Sequence, residues 1–463
     1  MATKKDLVEA YSFSRRRLVT AFVSGAPGGR EVEPAKPGRS IVGGLVLAVL
    51  LIAGAAIAGV LTSHVDPAWA EQPGLVISKE EAEVFIITDA ASEPVLHPIL
   101  NITSAKLILG DSLEPQVIPE EYISEEQIGT DLGIFGAPYD VPDGARLIQS
   151  GWTACTDGAN GGHRLDLSES PPVALSPEDG GMLVRVDGEV WLVATSRPDE
   201  DGAVSAFRYL VPDAGSSRLE LVLGGIGLSP AEAAPTPVSR EWLNLFPEGG
   251  ALDDDTLGTM PRTGNGAEPD PGELVQVNGD PYLVLANREL ALLDPFAFAV
   301  ADGLAAGAPP VEYDGDVDAL EFARGAFAGS RWPASILQPV FGERCVQLLT
   351  EPDQPARVQL VQEPEDDAAA TGTSGESVAV DAGAGAYVVS AGWGALTGES
   401  PFVVDAKGYA YPLVGPTAAE LLGYGSYDPP VVPDSWVEMF EPGVQLSRNA
   451  ALCTPRPGNE SCS

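Results

Sequence analysis

The chain has 463 residues and carries 67 acidic against 26 basic residues, a formal net charge of −41 at pH 7. An acidic surplus of this size repels phosphate, which excludes nucleic acid and anionic lipid as partners of the acidic part of the chain. The three histidines, His64, His97 and His163, are too far apart in the sequence to predict a metal site. We expect no metal and no other cofactor.

The first predicted element is a basic tail, residues 1–40, with eight Lys or Arg residues and four acidic ones. Four apolar residues recur in it at spacings of four, seven and four, which places them on one side of a helix: Leu7, Tyr11, Leu18 and Phe22. The pattern predicts a basic amphipathic helix on the membrane surface, with a disordered, solvated tail as the alternative. Residues 25–40 contain four Gly and three Pro, and we interpret them as a linker.

A membrane anchor is predicted over residues 41–61, which are 21 consecutive residues without a charge. As a helix this run is roughly 31 Å long, the thickness of the hydrocarbon core of a bilayer. The tail carries a net charge of +4 and the remainder −45, so the positive-inside rule orients the N-terminus towards the cytoplasm. The sequence therefore predicts a single-pass protein of the inner (plasma) membrane, with an extracytoplasmic, periplasm-like domain over residues 62–463.

Two export signals are alternatives to a retained anchor. Ala68-Trp69-Ala70 resembles the cleavage site of a signal peptide, but the apolar run and the segment before it are both longer than such peptides have. Residues 14–18 resemble a twin-arginine signal, but the apolar run begins 24 residues after Arg17 instead of directly. A retained anchor agrees better with these lengths.

Beyond the anchor, short β-branched runs separated by turn residues predict β-hairpins. Residues 184–193 and 275–284 each contain an Asp-Gly or Asn-Gly pair between two hydrophobic runs, and such pairs adopt the positive φ of a tight turn. Two looser copies are residues 378–389 and residues 84–90. The hairpin unit is therefore predicted to be repeated.

A second repeated motif follows the hairpins: a Trp, a Phe four residues later, and a Gly seven residues after the Trp. The two full copies are Trp242-Phe246-Gly249 and Trp436-Phe440-Gly443. The spacing predicts a helical turn that the Gly ends, and Trp332 with Ile336 is a degenerate third copy. Each unit is thus predicted to run hairpin, strand, helix with a Leu-Gly pair, and Trp-x-x-x-Phe turn.

The hairpins lie about 91 and 103 residues apart, too far and too unevenly for a solenoid or a propeller. The predicted fold class is therefore α+β, with four discrete modules at about 75–132, 182–250, 273–340 and 376–443 and a C-terminal tail at 444–463. Residues 133–181 and 341–375 are left over, and they are predicted to form a central core. All four cysteines lie beyond the anchor, where disulfides persist, so two bridges are expected: Cys155, Cys345, Cys453 and Cys462. A bridge between the two leftover stretches would tie the core together.

Three segments carry a family resemblance. Residues 11–22 read YSFSRRRLVTAF, residues 94–110 read PVLHPILNITSAKLILG, and residues 128–138 read IGTDLGIFGAP. They are similar to motifs of the EccB family, a membrane component of actinobacterial type VII (ESX) secretion systems. The resemblance covers nearly the whole chain, with Lys106 where the family usually has Arg.

The resemblance implies a core disulfide between Cys155 and Cys345, and it leaves Cys453 and Cys462 to pair locally. It also implies a structural membrane subunit of the secretion complex, which supports export of small WxG-type and related proteins across the inner membrane. The implied partners are an EccC-like motor, EccD-like and EccE-like membrane subunits, a mycosin protease and further copies of the chain itself.

Two other functions stay open. EccB-like proteins are sometimes described as ATPases, yet the sequence has no Gly-Lys pair and hence no phosphate-binding P-loop, so an ATPase would need a non-standard extracytoplasmic nucleotide site. No serine-hydrolase elbow occurs either, and we expect no catalytic residue. The other alternative is a peptidoglycan-binding module, although we interpret the module tryptophans as core residues rather than as a sugar-stacking surface: Trp191, Trp242, Trp393 and Trp436.

Overall fold

A computed structural model describes the following residues: 4–24, 65–66, 68–88, 94–110, 114–156, 162–199, 201–229, 231, 233–258, 270–307, 309–313, 317, 320–341, 344–362 and 377–456. The chain divides into two compact units, Met1–Pro67 and Ala68–Ser463. Among these described residues no helix has both the length and the apolar character needed to cross a membrane. The predicted anchor at 41–61 and the linker at 25–40 lie outside the described residues.

The first unit contains the predicted tail helix, α1, at Lys4–Ser24. Its side chains Leu7, Tyr11, Leu18 and Phe22 are all exposed, by 67% to 94%. The helix is confirmed, whereas its location on a membrane surface stays a prediction.

Within its described residues, the second unit contains four small sheets of one topology and a fifth, different sheet. In each small sheet three strands form an antiparallel meander, a helix follows, and short later strands add in parallel to the outer strands of the meander. We call these sheets with their helices modules 1 to 4.

Module 1 covers residues 74–128. Its strands are β1 Gly74–Ser78, β2 Val84–Ile87, β3 Val95–Pro98, β4 Gln116–Ile118 and β5 Gln127–Ile128, and its helices are α2 Ile102–Leu109 and α3 Glu120–Ile123. The strand order is β4-β1-β2-β3-β5. A short 3-10 turn, Gly144–Arg146, follows the module.

The fifth sheet, the central sheet, has the order β21-β7-β6-β19-β20-β8. Its strands are β6 Thr153–Thr156, β7 His163–Leu167, β8 Ala174–Leu175, β19 Cys345–Leu349, β20 Arg357–Gln362 and β21 Ser377–Val380. The two stretches that the sequence left outside the modules, 133–181 and 341–375, therefore meet in one sheet.

Module 2 covers residues 180–257. Its strands are β9 Gly180–Val186, β10 Glu189–Thr195, β11 Ala206–Val211 and β12 Thr236–Pro237, and its helices are α4 Ser217–Gly225, α5 Arg240–Leu243 and α6 Asp254–Leu257. The second short parallel strand of the other modules is represented here by a single parallel β-bridge between Arg208 and Glu248. The predicted hairpin turn at Asp187-Gly188 is confirmed, because both residues have positive φ, 51° and 90°.

Module 3 covers residues 274–323. Its strands are β13 Leu274–Val277, β14 Asp280–Val284, β15 Leu290–Leu292, β16 Val311–Glu312 and β17 Phe322–Ala323, and its helix is α7 Pro295–Leu304. The hairpin between β13 and β14 is as predicted. The module ends earlier than the predicted residue 340, because β18 Gln338–Pro339 pairs with β9 of module 2.

Module 4 covers residues 386–442. Its strands are β22 Ala386–Ala391, β23 Ser400–Val404, β24 Tyr409–Pro412, β25 Val431–Pro433 and β26 Glu441–Pro442; its helices are α8 Ala418–Leu421 and α9 Asp434–Val437, and α10 Arg448–Ala451 follows. The predicted hairpin over 378–389 is wrong. β21 pairs with β7 of the central sheet, and β22 pairs with β23 instead.

The hydrophobic cores show how the modules are grouped. Modules 2 and 3 share one core, into which α4 and α7 bring buried residues such as Val222 and Val300. Modules 1 and 4 share a second core, with Leu107 and Tyr411 among its members. A third core joins the central sheet to the other faces of modules 2 and 4. The central sheet therefore connects two pairs of modules.

Candidate functional site

A disulfide crosses the middle of the central sheet. Cys155 on β6 lies directly opposite Cys345 on β19, with an S–S distance of 2.05 Å and a sequence separation of 190. Both side chains are buried and pack with Val361 of β20. The bond therefore closes a chain loop that contains modules 2 and 3. Cys453 is also disulfide-bonded, but Cys462 lies outside the described residues, so that pairing stays a prediction.

Buried tryptophans attach the modules to this sheet and to one another. Trp242 Nε1 donates to the carbonyl of Ala154, next to Cys155, at 3.1 Å, and Trp436 Nε1 donates to the carbonyl of Leu245 at 3.3 Å. Trp152 of the segment leading into β6 meets Phe440 edge to face, with ring centroids 5.4 Å apart. These three tryptophans have no exposed surface, so they serve as core residues and do not stack on a ligand.

The glycine of the Trp-Phe-Gly motif has a different role from the predicted one. The helices α5 and α9 end before it, with Asn244 and Glu438 as their C-caps. A Cβ atom at Gly249 would lie 2.3 Å from the ring of Tyr209, and one at Gly443 would lie 2.4 Å from the ring of Tyr411. The prediction that this Gly ends a helical turn is wrong, because the residue is needed where the chain passes over a tyrosine ring.

The same contact recurs in module 1, where a Cβ atom at Gly129 would lie 2.5 Å from the ring of His97. The sequence did not predict this relation, since His and Tyr differ and the ring lies more than 30 residues before its glycine. Knowledge of the strand register would have revealed the contact, because each strand that carries a ring pairs in parallel with the segment that carries the glycine.

Trp332 is not a third copy of the motif. It lies outside any helix, is fully buried against Phe296 and Phe327, and donates through Nε1 to the carbonyl of Gly250 at 2.7 Å. Its partner in the predicted pair, Ile336, is 40% exposed. Trp332 instead joins the segment after module 3 to module 2.

Two of the segments that resemble EccB motifs are joined by buried hydrogen bonds. Asn101 caps α2 by accepting from the amide of Ser104, and its Nδ2 donates to the carbonyl of Ile134 at 3.0 Å. Thr103 Oγ1 donates to the carbonyl of Pro138 at 2.9 Å, and Ser104 Oγ accepts from the amide of Ile134 at 2.9 Å. The polar residues of the 94–110 block thus hold the 128–138 block, a structural role for both.

Arg208 is a half-buried cation inside module 2. Its guanidinium carbon lies 5.5 Å from the ring centroid of Trp191, and its Nη1 donates to the side-chain oxygen of Asn244 at 2.5 Å and to the carbonyl of Leu243 at 3.2 Å. Glu248 accepts from Nη2 at 3.3 Å. Burial lowers the pKa of Arg208, and Glu248 opposes that shift.

The described histidines and two neighbouring acidic residues, Asp253 and Asp254, each make separate contacts. His97 Nδ1 lies 2.8 Å from the carbonyl of Thr130, buried His163 lies 3.2 Å from Ser239 Oγ, and His64 lies outside the described residues. Asp253 caps α6, and Asp254 pairs with Arg218 at 2.7 Å. Within the described ranges, no group of three or more His, Cys, Asp or Glu side chains is placed to hold a metal ion.

Four α+β modules on a disulfide-linked central sheet, joined through buried tryptophans and polar side chains, define a multi-module α+β domain. The chain belongs to the EccB family: the family model described as type VII secretion system ESX-1, transport TM domain B, matches residues 1–301 and 337–455.

Relatives with assigned names cover part of the chain. The ESX-1 secretion system ATPase EccB1 of Mycolicibacterium smegmatis (strain MKD8) is 26% identical over 219 residues, 46% of this chain and 42% of that protein. The protein of the same name from Mycobacterium tuberculosis (strain ATCC 25618 / H37Rv) is 28% identical over 258 residues, 54% of this chain and 49% of that protein. The chain therefore spans about half the length of the curated relatives it matches.

Solved structures resemble this fold over most of its length. The EccB3 dimer from the ESX-3 core complex has a TM-score of 0.61 at 22% identity and covers 82% of this chain and 100% of that chain. A chain of the intact ESX-5 inner membrane complex has a TM-score of 0.59 at 20% identity and covers 98% of this chain and 95% of that chain. These likenesses establish the mixed α+β fold.

Proposed function

We propose that this chain is a structural membrane subunit of a type VII (ESX) secretion complex, in which it supports export of small WxG-type and related proteins. The observation that carries the proposal is the family match over both the N-terminal segment and the modular unit. Residues 41–61 form the single-pass anchor, the basic helix α1 lies in the cytoplasm, and the modules lie outside the membrane. Solved relatives come from ESX membrane complexes and include a dimer, which supports assembly with further copies of the chain.

The arrangement of the modules supports a scaffold role. The buried hydrogen bonds of Asn101, Trp242 and Trp436 hold modules and central sheet in fixed positions. The bond between Cys155 and Cys345 joins two strands of the central sheet and closes the loop that contains modules 2 and 3. A rigid body of this kind presents several surfaces to different partners at once. The proposed partners are an EccC-like motor, EccD-like and EccE-like subunits and a mycosin protease.

The test is copurification. The chain with an affinity tag is extracted from its own host in mild detergent, and the captured material is identified by mass spectrometry and sized on a native gel. We expect a large complex that contains an FtsK-like motor. Migration as an isolated chain while the motor is present in the same membranes would contradict the proposal. The same extraction from a host that lacks the motor gene is the control, because a detergent aggregate would form there as well whereas the complex would not.

A second candidate function is ATP hydrolysis, which the names of the relatives favour. It would require a nucleotide site without a P-loop, in a unit whose acidic charge repels ATP. Hydrolysis of Mg-ATP by the purified chain, abolished by one substitution that leaves the fold intact, would establish this function. If no substitution in this chain abolishes the hydrolysis, the activity belongs to a contaminant or to the copurified motor.

A further inference from the structure

Modules 2 and 4 correspond position by position. The strand pairing aligns Tyr209 with Tyr411, and the parallel strands align Trp242 with Trp436 and Gly249 with Gly443. The same register aligns Trp191 with Phe402 and Arg208 with Ala410. Each position of module 2 can therefore be compared with the residue that occupies the same position in module 4.

Three of the four modules have a long side chain at the position that Arg208 takes in module 2. In module 2 the guanidinium lies against Trp191 and donates to Asn244 and to the carbonyl of Leu243. The strand register places Leu96 at this position in module 1 and Leu290 in module 3, and both are buried. In each of these modules a long side chain, rather than an alanine, therefore stands at this position.

Module 4 leaves this space open. Ala410 is too short to fill it, and a cavity of about 500 Å³ lies there, lined by Phe402, Ala410, Pro412, Val437, Glu438 and Phe440 among others. The groups that hold the guanidinium in module 2 have counterparts on its wall. Phe402 replaces Trp191, the carbonyl of Val437 replaces that of Leu243, and exposed Glu438 replaces Asn244.

We propose that this cavity of module 4 binds the side chain of an arginine from another polypeptide. The exchange of Asn244 for Glu438 converts a neutral acceptor into a carboxylate, which pairs with a guanidinium in a charge-assisted hydrogen bond. The carbonyl of Val437 also accepts from the amide of Phe440, as that of Leu243 accepts from Phe246, so its direction is the same in both modules. The planar guanidinium can stack on an aromatic ring and donate hydrogen bonds to two acceptors at once, which a lysine ammonium cannot do.

The charge around the cavity suits the guanidinium of an arginine within a polypeptide. Asp434 accepts a hydrogen bond from Ser390 at one wall, and Glu438 stands exposed at the rim. In free arginine these groups repel the α-carboxylate and attract the α-ammonium, whereas an arginine within a chain brings only its guanidinium charge and neutral peptide groups. The occupant is therefore a surface arginine of a partner protein.

The test uses the full chain in detergent micelles with ¹³C-labelled alanine methyl groups, titrated with Nα-acetyl-arginine N-methylamide. We expect a saturable shift of the Ala410 methyl resonance. The corresponding lysine compound should bind at least about fivefold more weakly, and free arginine should bind no more tightly than the capped compound. Glu438→Gln should weaken binding by about tenfold. Ala410→Arg, which places the side chain of module 2 in the cavity, should abolish ligand-detected saturation transfer.

Three outcomes would overturn the proposal: no saturable shift at Ala410, equal affinity for the arginine and lysine compounds, or unchanged affinity in Glu438→Gln. Tighter binding of free arginine than of the capped compound would make the ligand a small molecule and overturn the polypeptide assignment. Glu438 is exposed and its substitution leaves the core unchanged, so this variant decides the matter even where Ala410→Arg does not fold.

Discussion

Gly249 lies so close to Tyr209 that a Cβ atom would come within 2.3 Å of the tyrosine ring and 2.9 Å of the carbonyl oxygen of Ser330. Neither neighbour can withdraw easily, because Tyr209 is fully buried and the second contact is with backbone. We expect Gly249→Ala and Gly443→Ala each to lower the free energy of unfolding by about 1–3 kcal/mol. The measurement is the midpoint of urea unfolding.

Gly392 provides the matched control for these two variants. It also lies in module 4, has no strained φ, and has open space where a Cβ would be added. Gly392→Ala should leave the midpoint within experimental error. A loss as large as that in Gly249→Ala would show that the tyrosine contact is not the cause.

The core disulfide gives a second prediction. Replacing Cys155 and Cys345 together by Ser removes a cross-link that closes a very long loop and leaves two hydroxyls in a buried cluster, so we expect a loss of about 3–5 kcal/mol. Urea unfolding without reductant measures it. Replacing Cys453 and Cys462 by Ser is the comparison, because the predicted bridge there closes a short loop. Equal losses in the two double variants would contradict the role given to the central bond.

Asn101 is predicted to be more important than an ordinary helix cap. Asn101→Ala removes the cap of α2 and leaves the carbonyl of Ile134 without its buried donor, which together should cost about 2–4 kcal/mol. Asp253→Ala removes a cap of α6 alone and should cost about 1 kcal/mol. Hydrogen exchange of the α2 amides should accelerate only in Asn101→Ala. Similar costs for the two variants would rule out the link between the 94–110 and 128–138 segments.

Buried tyrosines predict a loss of stability at alkaline pH. Burial, the charge of Asp405 and the hydrogen bond to Asp405 raise the pKa of Tyr411, and burial raises the pKa of Tyr209 well above its ordinary value. In the unfolded chain these phenols ionise near pH 10. Above that pH the unfolded state binds fewer protons than the folded state, so stability, fully present below pH 10, falls as pH rises towards the raised values.

Tyr411→Phe tests this dependence. The variant loses one hydrogen bond to Asp405 and should be slightly less stable at pH 7, but its stability should fall less steeply above pH 10. Unfolding midpoints between pH 7 and 11 give the two slopes. The exposed Tyr139, replaced by Phe, is the control. Identical slopes for wild type and Tyr411→Phe would contradict the assignment.

Local chemistry made part of the fold predictable. The Asp187-Gly188 and Asn278-Gly279 turns were found because positive φ at two consecutive residues restricts the residue types. Non-local pairing was not predictable in the same way. The sequence predicts a hairpin over residues 378–389, but Val378 pairs with Leu165, more than 200 residues away, and no pattern within the segment specifies that partner.

The candidate site likewise contains features that the sequence predicts and features that depend on residues distant in the chain. Trp242, Trp436 and their motif were found because aromatic residues at fixed spacing are conspicuous in a sequence. The reason for the glycine was missed, because it depends on a ring carried by another strand. Arg208 was missed as well, since its significance comes from Trp191 and Asn244, which the fold brings to it.

The most direct test of the scaffold role is the size of the secretion complex in membranes depleted of this chain. The gene is placed under a repressible promoter, and the complex is followed on native gels through a tag on the motor. We predict that the large complex disappears on depletion and returns when the wild-type chain is restored. A complex that keeps its full size and its export activity without this chain would contradict the account.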